Sequence, residues 1–420
     1  MQTLAWAARP YGSVVRQHAR YGDRFTMRFG QATFVGLADP GDVKEVFTGD
    51  PDVFHAGKGN VILLPFMGHN SVLLLDGDAH LSQRRLLLPP LHGDRMRAHV
   101  PLMREIAERE IETWPIGEPF ALAPRMQRVT LEVILRIVFG VDDSSPLVGE
   151  LRREMAAVVD AAADTRRMIK LAVIGPEKVH ERRMFADILD PVDRMVRQVI
   201  AEHRLLPDLE DRDDILSMLL LATHEDGTPM SDDELRDELM TLLIAGHETT
   251  ATSLSWAMER LTRHPQQLER LHDSVAAGED EYIDAVIRET LRLRPVIPFV
   301  VRELQEERVV GGWRYPKGTW LAPSIFLVHR RPDLYPDPLA FRPERWLGVR
   351  PNPYHFFPFG GGVRRCVGAS FAETEMRAVL TAIVSKLRLE PASPEPEHVR
   401  RRVITLVPAH GGRVIARAAG

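Results

Sequence analysis

Between Ser231 and Pro265 the chain carries a helical signal longer than any peripheral element of a globular domain requires. It opens on Ser231-Asp232-Asp233-Glu234, a capping box in which the serine oxygen and the glutamate carboxylate each take an N–H group that the first turn leaves unpaired. Leu235, Leu239, Leu242, Leu243, Leu254, Met258 and Leu261 then keep a 3.6-residue period until Pro265 stops it. A helix of more than thirty residues has to run through the middle of whatever the chain folds into, and this predicts a mainly α protein.

Other segments fit around that axis. RFTMRFGQATFVGL (24–37) alternates apolar and polar residues about Gly30-Gln31, the pattern of a hairpin, and ERVVGGWRYPKGTWLAPSIF is β-like with turns at Gly311-Gly312 and Pro316-Lys317-Gly318. Small β regions are therefore expected from about 20–60 and 300–325. EYIDAVIRETLRLRP reads as a second helix closed by Pro295, and GASFAETEMRAVLTAIVSKL as an amphipathic third. PDLEDRDD (207–214) reads as a solvated acidic loop. No Pro/Gly/Ser-rich linker divides the chain, so residues 1–420 are expected to form a single domain.

Composition excludes several functions. With 54 Lys and Arg against 59 Asp and Glu the net charge is −5, which gives no field for nucleic acid. The opening apolar patch LAWAA is broken by Arg9 and Pro10, and no uninterrupted apolar run reaches the length of a membrane span. A soluble, cytoplasmic protein without a membrane anchor is expected. One cysteine leaves no intrachain disulfide and no multi-thiolate metal site.

That cysteine sits in FPFGGGVRRCVGAS, Phe357 to Ser370, just ahead of a helix. The helix start and the cations Arg364 and Arg365 are expected to favour the thiolate, either as nucleophile or as metal ligand. A phosphatase loop would carry an arginine six positions after the cysteine, where Ala372 stands, and no G-K-[ST] follows the glycines as a phosphate cradle would need. A broad, flat cofactor explains more: glycines for close approach, aromatics for packing, cations for acidic substituents.

Phe359-x-x-Gly362-x-Arg364-x-Cys366-x-Gly368 resembles the heme-binding loop of the cytochrome P-450 family, which holds heme iron by a cysteine thiolate. Three further motifs occur in the family's order. Ala245-Gly246-His247-Glu248-Thr249-Thr250 resembles its oxygen-activation motif, with Gly246 suggesting a locally opened helix. Glu289-x-x-Arg292 resembles its E-x-x-R pair, and Phe341 to Trp346 resembles the segment whose arginine, here Arg345, completes an ion triad. Taken alone, Thr249 could simply bond back to Ala245, and Glu289 with Arg292 could be a solvated surface bridge.

The resemblance implies a triangular-prism helical domain with a small β-rich lobe, a heme b (iron protoporphyrin IX) cofactor, and insertion of one oxygen atom from O₂ into a hydrophobic small molecule by hydroxylation or epoxidation. It implies Cys366 as metal ligand, Glu248 and Thr249 as catalytic proton relay, and Arg364, His80, Arg84 and Arg302 as propionate partners. Phe359, Gly362, Gly368, Gly246 and Ala245 would border the cofactor. A monomer is expected, reduced by a ferredoxin with its ferredoxin reductase, or by a flavodoxin-type donor, docking where Arg84, Arg85, Arg364 and Arg365 gather. VILLPFMG (61–68), Leu243, Ile244, VIPFV (296–300) and the loop near His410 would line a pocket for a terpenoid, fatty acid or macrocycle. Two alternatives stay open: a non-catalytic heme-binding sensor or carrier, which needs no Gly246, Glu248, Thr249 set, and a peroxide-driven heme-thiolate enzyme, which usually departs from the acid–alcohol pair.

Overall fold

The cap at Ser231 forms as the sequence predicts. Ser231 Oγ accepts from the Glu234 N–H at 3.2 Å, and the Glu234 carboxylate accepts from the Ser231 N–H at 2.8 Å. The helix it starts, Asp232–Thr262, is 31 residues long, about 46 Å at the usual rise. Leu235, Leu239, Leu243, Leu254, Met258 and Leu261 have no exposed surface, so the helix is a core axis.

The computed structural model describes residues 10–29, 32–143, 145, 148–402 and 404–418. In chain order the elements ahead of the axis are α1 (Pro10–Tyr21), β1 (Arg24–Phe29), β2 (Ala32–Leu37), α2 (Pro40–Thr48), β3 (Phe54–His55), α3 (Leu64–Met67), α4 (Gly77–Leu87), α5 (Asp94–Ala98) and α6 (Val100–Ile111). Then come β4 (Pro119–Ala121), α7 (Leu122–Val133), which continues as a π-turn over Ile134–Val138, α8 (Val148–Ala163), α9 (Thr165–Ile174), α10 (Pro176–Glu181), α11 (Ala186–His203) and α12 (Ile215–Leu221). The axis is α13. After it lie α14 (Pro265–Ala277), α15 (Asp280–Leu293), β5 (Arg302–Leu304), β6 (Arg308–Val310), β7 (Trp313–Tyr315), β8 (Trp320–Pro323), α16 (Ile325–Val328), α17 (Ala369–Lys386), β9 (Leu387–Pro391), β10 (Val399–Arg402), β11 (Thr405–Pro408) and β12 (Arg413–Ala418).

The two predicted β regions meet in one five-stranded sheet of order β1-β2-β8-β5-β3, joined by the parallel pairing of Phe34 with Trp320. Gly311 and Gly312 turn β6 into β7 with φ of +56° and +78°, a conformation glycine adopts freely. The expected turn at Gly30-Gln31 and the apolar patch near the N-terminus lie outside the described residues. Strands also form where none were expected: β9 and β4 flank β12, and β10 pairs with β11. Asp214, expected in a solvated loop, is buried instead, because its carboxylate caps α12 through the Ser217 N–H at 2.8 Å.

The main core is built from α4, α6, α7, α11, α13, α15 and α17. A smaller core of Leu37, Val43, Phe47, Leu304, Leu321 and Phe357 lies under the sheet. Phe357 opens the cysteine loop, so that loop is anchored in the sheet lobe at one end and starts a core helix at the other.

Candidate active site

The cysteine loop folds back on itself: the Gly360 N–H donates to the Phe357 carbonyl and the Cys366 N–H to the Phe359 carbonyl, each at 2.9 Å. Gly360 and Gly362 hold φ of +68° and +65°. A Cβ on Gly362 would lie 2.1 Å from the Phe47 carbonyl oxygen, and one on Gly361 would lie 2.1 Å from the Phe47 ring. These two glycines therefore make room for α2, a packing role that the sequence did not announce. Phe357 serves the same contact: its ring packs edge-on to Phe47, centroids 5.3 Å apart, and its N–H donates to His329 Nε2 at 2.9 Å. A Cβ on Gly368 would meet no atom within 4 Å, and Phe359 packs partly buried against the main core.

Cys366 keeps accessible surface, yet surrounding protein pushes its thiol above the ordinary value. Burial outweighs the Gly368 N–H and the cations Arg365 and Arg84, all of which act toward thiolate. Burial thus works against the thiolate that the sequence leads one to expect, and Arg364 is engaged elsewhere. Its guanidinium donates to the Val72 carbonyl at 3.2 Å, to the Leu75 carbonyl and to the Asp76 carboxylate. Asp76 is itself fixed by the N–H groups of Ala56 and Gly57, at 2.8 and 3.0 Å.

Around that pair the charge does not balance. Arg302 is buried and finds only backbone oxygens, Val301 at 2.8 Å and Gly361 at 3.4 Å. Burial, then Arg364, takes it down to about 10, and burial takes Arg364 down to about 10 as well. His80 is held at about 3 by burial and by Arg364, Arg84 and Arg302. Arg84 is half-buried and acts on Cys366. Among the described residues Arg364 takes Asp76, while Arg302 and Arg84 have no ion-pair partner and His80 is neutral. A thiol beside under-neutralised buried cations is the donor set a heme needs for its iron and its two carboxylates, so the residues present fit that group.

Over α13 the helix is continuous through Gly246, contrary to the expected opening. The Thr249 hydroxyl donates to the Ala245 carbonyl at 2.6 Å, which keeps the turn closed. A Cβ on Gly246 would meet only the Ile134 Cδ1, at 3.5 Å, so packing does not demand glycine there. Glu248 points away from Thr249. Its Oε1 accepts from Thr405 Oγ1 at 3.1 Å and lies 3.6 Å from Arg402 Nε, while Arg402 also reaches the exposed Asp160 at 3.5 Å. Burial raises the Glu248 carboxyl, against the lowering effect of Arg402 and Thr405. His247 bonds Thr130 at 2.8 Å, and burial lowers it to about 4, so it is neutral.

The third constellation closes fully. Arg292 donates to both oxygens of Glu289 at 2.8 Å, with neither side chain exposed, and Arg345 Nε reaches Glu289 at 3.2 Å. Glu289 also accepts from the Arg342 N–H at 2.8 Å and Trp346 Nε1 at 3.0 Å, two partners the motif did not announce. Arg292 uses its remaining donors on the carbonyls of His329, Pro338 and Ala340.

Some expected lining residues lie elsewhere. Leu243 is wholly in the core, while Leu242 and Ile244 are only partly buried. His410 is exposed and pairs with Glu397 at 3.3 Å, on the outer surface. The expected arginine face also thins out: Arg364 is consumed by Asp76, Arg84 faces Cys366, and the exposed Arg85 is paired with Glu225.

A family model described as Cytochrome P450 matches residues 2–413. Cytochrome P450 135B1 of Mycobacterium tuberculosis is 43% identical over 408 residues, covering 95% of this chain and 85% of that protein. Cytochrome P450 137 of the same species is 37% identical over 419 residues, covering 99% and 87%. The heme domain of cytochrome P450DA superposes with a TM-score of 0.85 at 25% identity, covering 100% and 95%. The retinoic acid-bound cyanobacterial CYP120A1 gives 0.83 at 23% identity, covering 96% and 94%, a likeness of fold. With the cysteine loop, the cation cluster and these matches together, the chain belongs to the cytochrome P450 family of heme-thiolate monooxygenases.

Proposed function

We propose that this chain hydroxylates or epoxidises a hydrophobic small molecule, using heme b held by Cys366 and electrons from a separate ferredoxin or flavodoxin-type donor. The observation that carries the reading is the thiol of Cys366 with Arg84 and Arg365 acting on it, together with buried Arg302 and Arg364, which act on one another and on neutral His80 and share Asp76. His80, Arg302 and Arg364 would take the heme carboxylates, and Cys366 the iron. The bound heme supplies the oxidising chemistry from O₂.

The chain's own part is to hold the substrate and move protons. Thr249 carries its hydroxyl proton at the wall of the site, on the Ala245 carbonyl in the resting arrangement. Glu248 is a carboxyl that burial keeps protonated to higher pH than usual, and the Arg402–Asp160 pair links it to the surface. Rotation of Glu248 from Thr405 toward Thr249 would place a proton donor beside that hydroxyl. Partly open apolar residues, Val61, Ile62, Leu63, Leu242, Ile297 and Val300, suit a substrate with few polar groups.

Cys366→Ser tests the ligand. The strongly red-shifted Soret band of the reduced carbonyl complex should vanish, because an alcohol cannot supply thiolate density, and its persistence would remove Cys366 from the site. Thr249→Ala and Glu248→Gln test the relay, with product, hydrogen peroxide and reductant measured together. The first should divert reductant to peroxide and the second should slow all turnover. Unchanged coupling in Thr249→Ala would leave that hydroxyl as a helix bond to Ala245 and favour a heme protein without this relay.

A further inference from the structure

Away from the heme side, α1, the carboxyl end of α15, α13 and α16 enclose a second concentration of positive charge. Arg294 and Arg330 both donate to one oxygen, the Leu293 carbonyl, Arg294 at 3.1 Å. Two guanidiniums therefore converge on a single neutral acceptor. Each is pinned by aromatic rings: Arg294 Cζ lies 5.2 Å from the Trp256 ring centre, and Arg330 Cζ lies 3.9 Å from that of Phe326 and 4.8 Å from that of Tyr11. Tyr11 in turn stacks on Phe326 with centroids 3.9 Å apart.

Among the described residues neither guanidinium has a carboxylate partner. The nearest acid to Arg294, Glu259, is already held by Arg260 and Arg263 at 2.5 and 2.7 Å. The nine residues ahead of Pro10 contain no Asp or Glu. The end of α15 offers about half a negative charge, and the start of α1 offsets it with a similar positive one. Burial and the neighbouring cations lower both arginines, Arg330 to about 9.

Three buried atoms here lack a partner: Arg294 Nε, Arg330 Nε and the Tyr11 hydroxyl. All three can donate, so what is missing is an acceptor, and the surplus charge makes that acceptor an anion. We infer that this cluster of donors binds a small oxyanion, of which inorganic phosphate is the simplest, gripped by Arg294, Arg330 and Tyr11. Trp256 also donates through Nε1 to the Leu406 carbonyl at 3.1 Å, and Leu406 N–H donates to Val296 at 2.9 Å. Through the Trp256 ring under Arg294, these two bonds connect the cluster to Val296. This site does not depend on the monooxygenase reading.

The test is a titration of the holoprotein with inorganic phosphate, ionic strength held constant with sodium chloride, followed by calorimetry and by the thermal midpoint. Saturable one-site binding with a rising midpoint is expected. Arg294→Gln and Arg330→Gln should each weaken binding by about tenfold or more, the loss of one charge-assisted bond. Without phosphate both variants should be no less stable than the parent, because a like charge has been removed. Tyr11→Phe keeps the ring stack and should weaken binding several-fold, so it carries the test even where a glutamine variant fails to fold. No heat of binding beyond the chloride control, meaning the cluster holds water only, overturns the inference. Equal phosphate affinity in Tyr11→Phe and the parent also overturns it.

Discussion

Replacing Glu289 by Gln removes one charge and almost no volume, which makes it a clean probe of the buried triad. The carboxylate accepts five hydrogen bonds, from Arg292 Nε and Nη2, Arg345 Nε, the Arg342 N–H and Trp346 Nε1. A glutamine presents one oxygen and turns an NH₂ group toward the remaining donors. Arg292, with no exposed surface, would keep one bond to that oxygen and the carbonyls of His329, Pro338 and Ala340, and lose the charge opposite it. Breaking such a buried pair from one side costs about 3–5 kcal/mol. At about 2.1 cal/mol/K per residue, the 420 residues give an unfolding entropy near 0.9 kcal/mol/K, so the thermal midpoint should fall by about 3–6 °C. The control is Asp284→Asn, which breaks an equally well-formed bridge to Arg377, at 2.7 and 2.9 Å, that water still reaches. That change should cost less than about 1 kcal/mol. Both variants would be unfolded in denaturant and by heat, followed by far-ultraviolet circular dichroism. Equal losses in the two would refute the claim that burial sets the cost.

His80, at about 3 in the folded chain against about 6.5 unfolded, takes up its proton only on unfolding, so its contribution is intact above pH 6.5 and is lost as pH falls toward 3. At pH 5 the cofactor-free protein should lose about 2 kcal/mol through this group, and His80→Asn should flatten that limb in a pH series of denaturant melts. Gly246→Ala should stabilise α13 by about 1 kcal/mol, since the new Cβ meets only Ile134; a lower midpoint would mean the helix has less room than it shows. Arg402→Gln removes a group that lowers the Glu248 carboxyl, so the pH dependence of turnover assigned to Glu248 should move upward, and an unmoved profile would separate Arg402 from that carboxyl.

What could be read from the sequence was local or contiguous. The cap and period of α13 are local, as are the loop around Cys366 and the Glu289–Arg292 spacing, and all of these stand in the structure as geometry. Of the neighbours Leu243 and Ile244 named for the pocket, Leu243 lies wholly in the core and Ile244 is partly open, because one residue turns a helix face by about 100°. The packing of Gly361 and Gly362 on Phe47 could not be read, because Phe47 is remote in sequence and only the fold brings it there. Asp76, which takes Arg364, sits four residues before His80 and was visible, but nothing in its spacing says which arginine it will meet. The strand β9 alternates buried Leu387 and Leu389 with Arg388 and Glu390, a legible pattern that was passed over, whereas Ile415 between Val414 and Ala416 blurs it in β12. The direction of the Thr249 hydroxyl is a rotamer choice, and no sequence pattern encodes it.

The contact of Phe47 with the paired glycines has a bearing on how this enzyme is assembled. Since the Phe47 ring and carbonyl leave no room for a side chain on either glycine, the path of the cysteine loop is tied to α2 and the sheet lobe, far from Cys366 in sequence. Damage to α2 would therefore shift the thiol without touching Cys366.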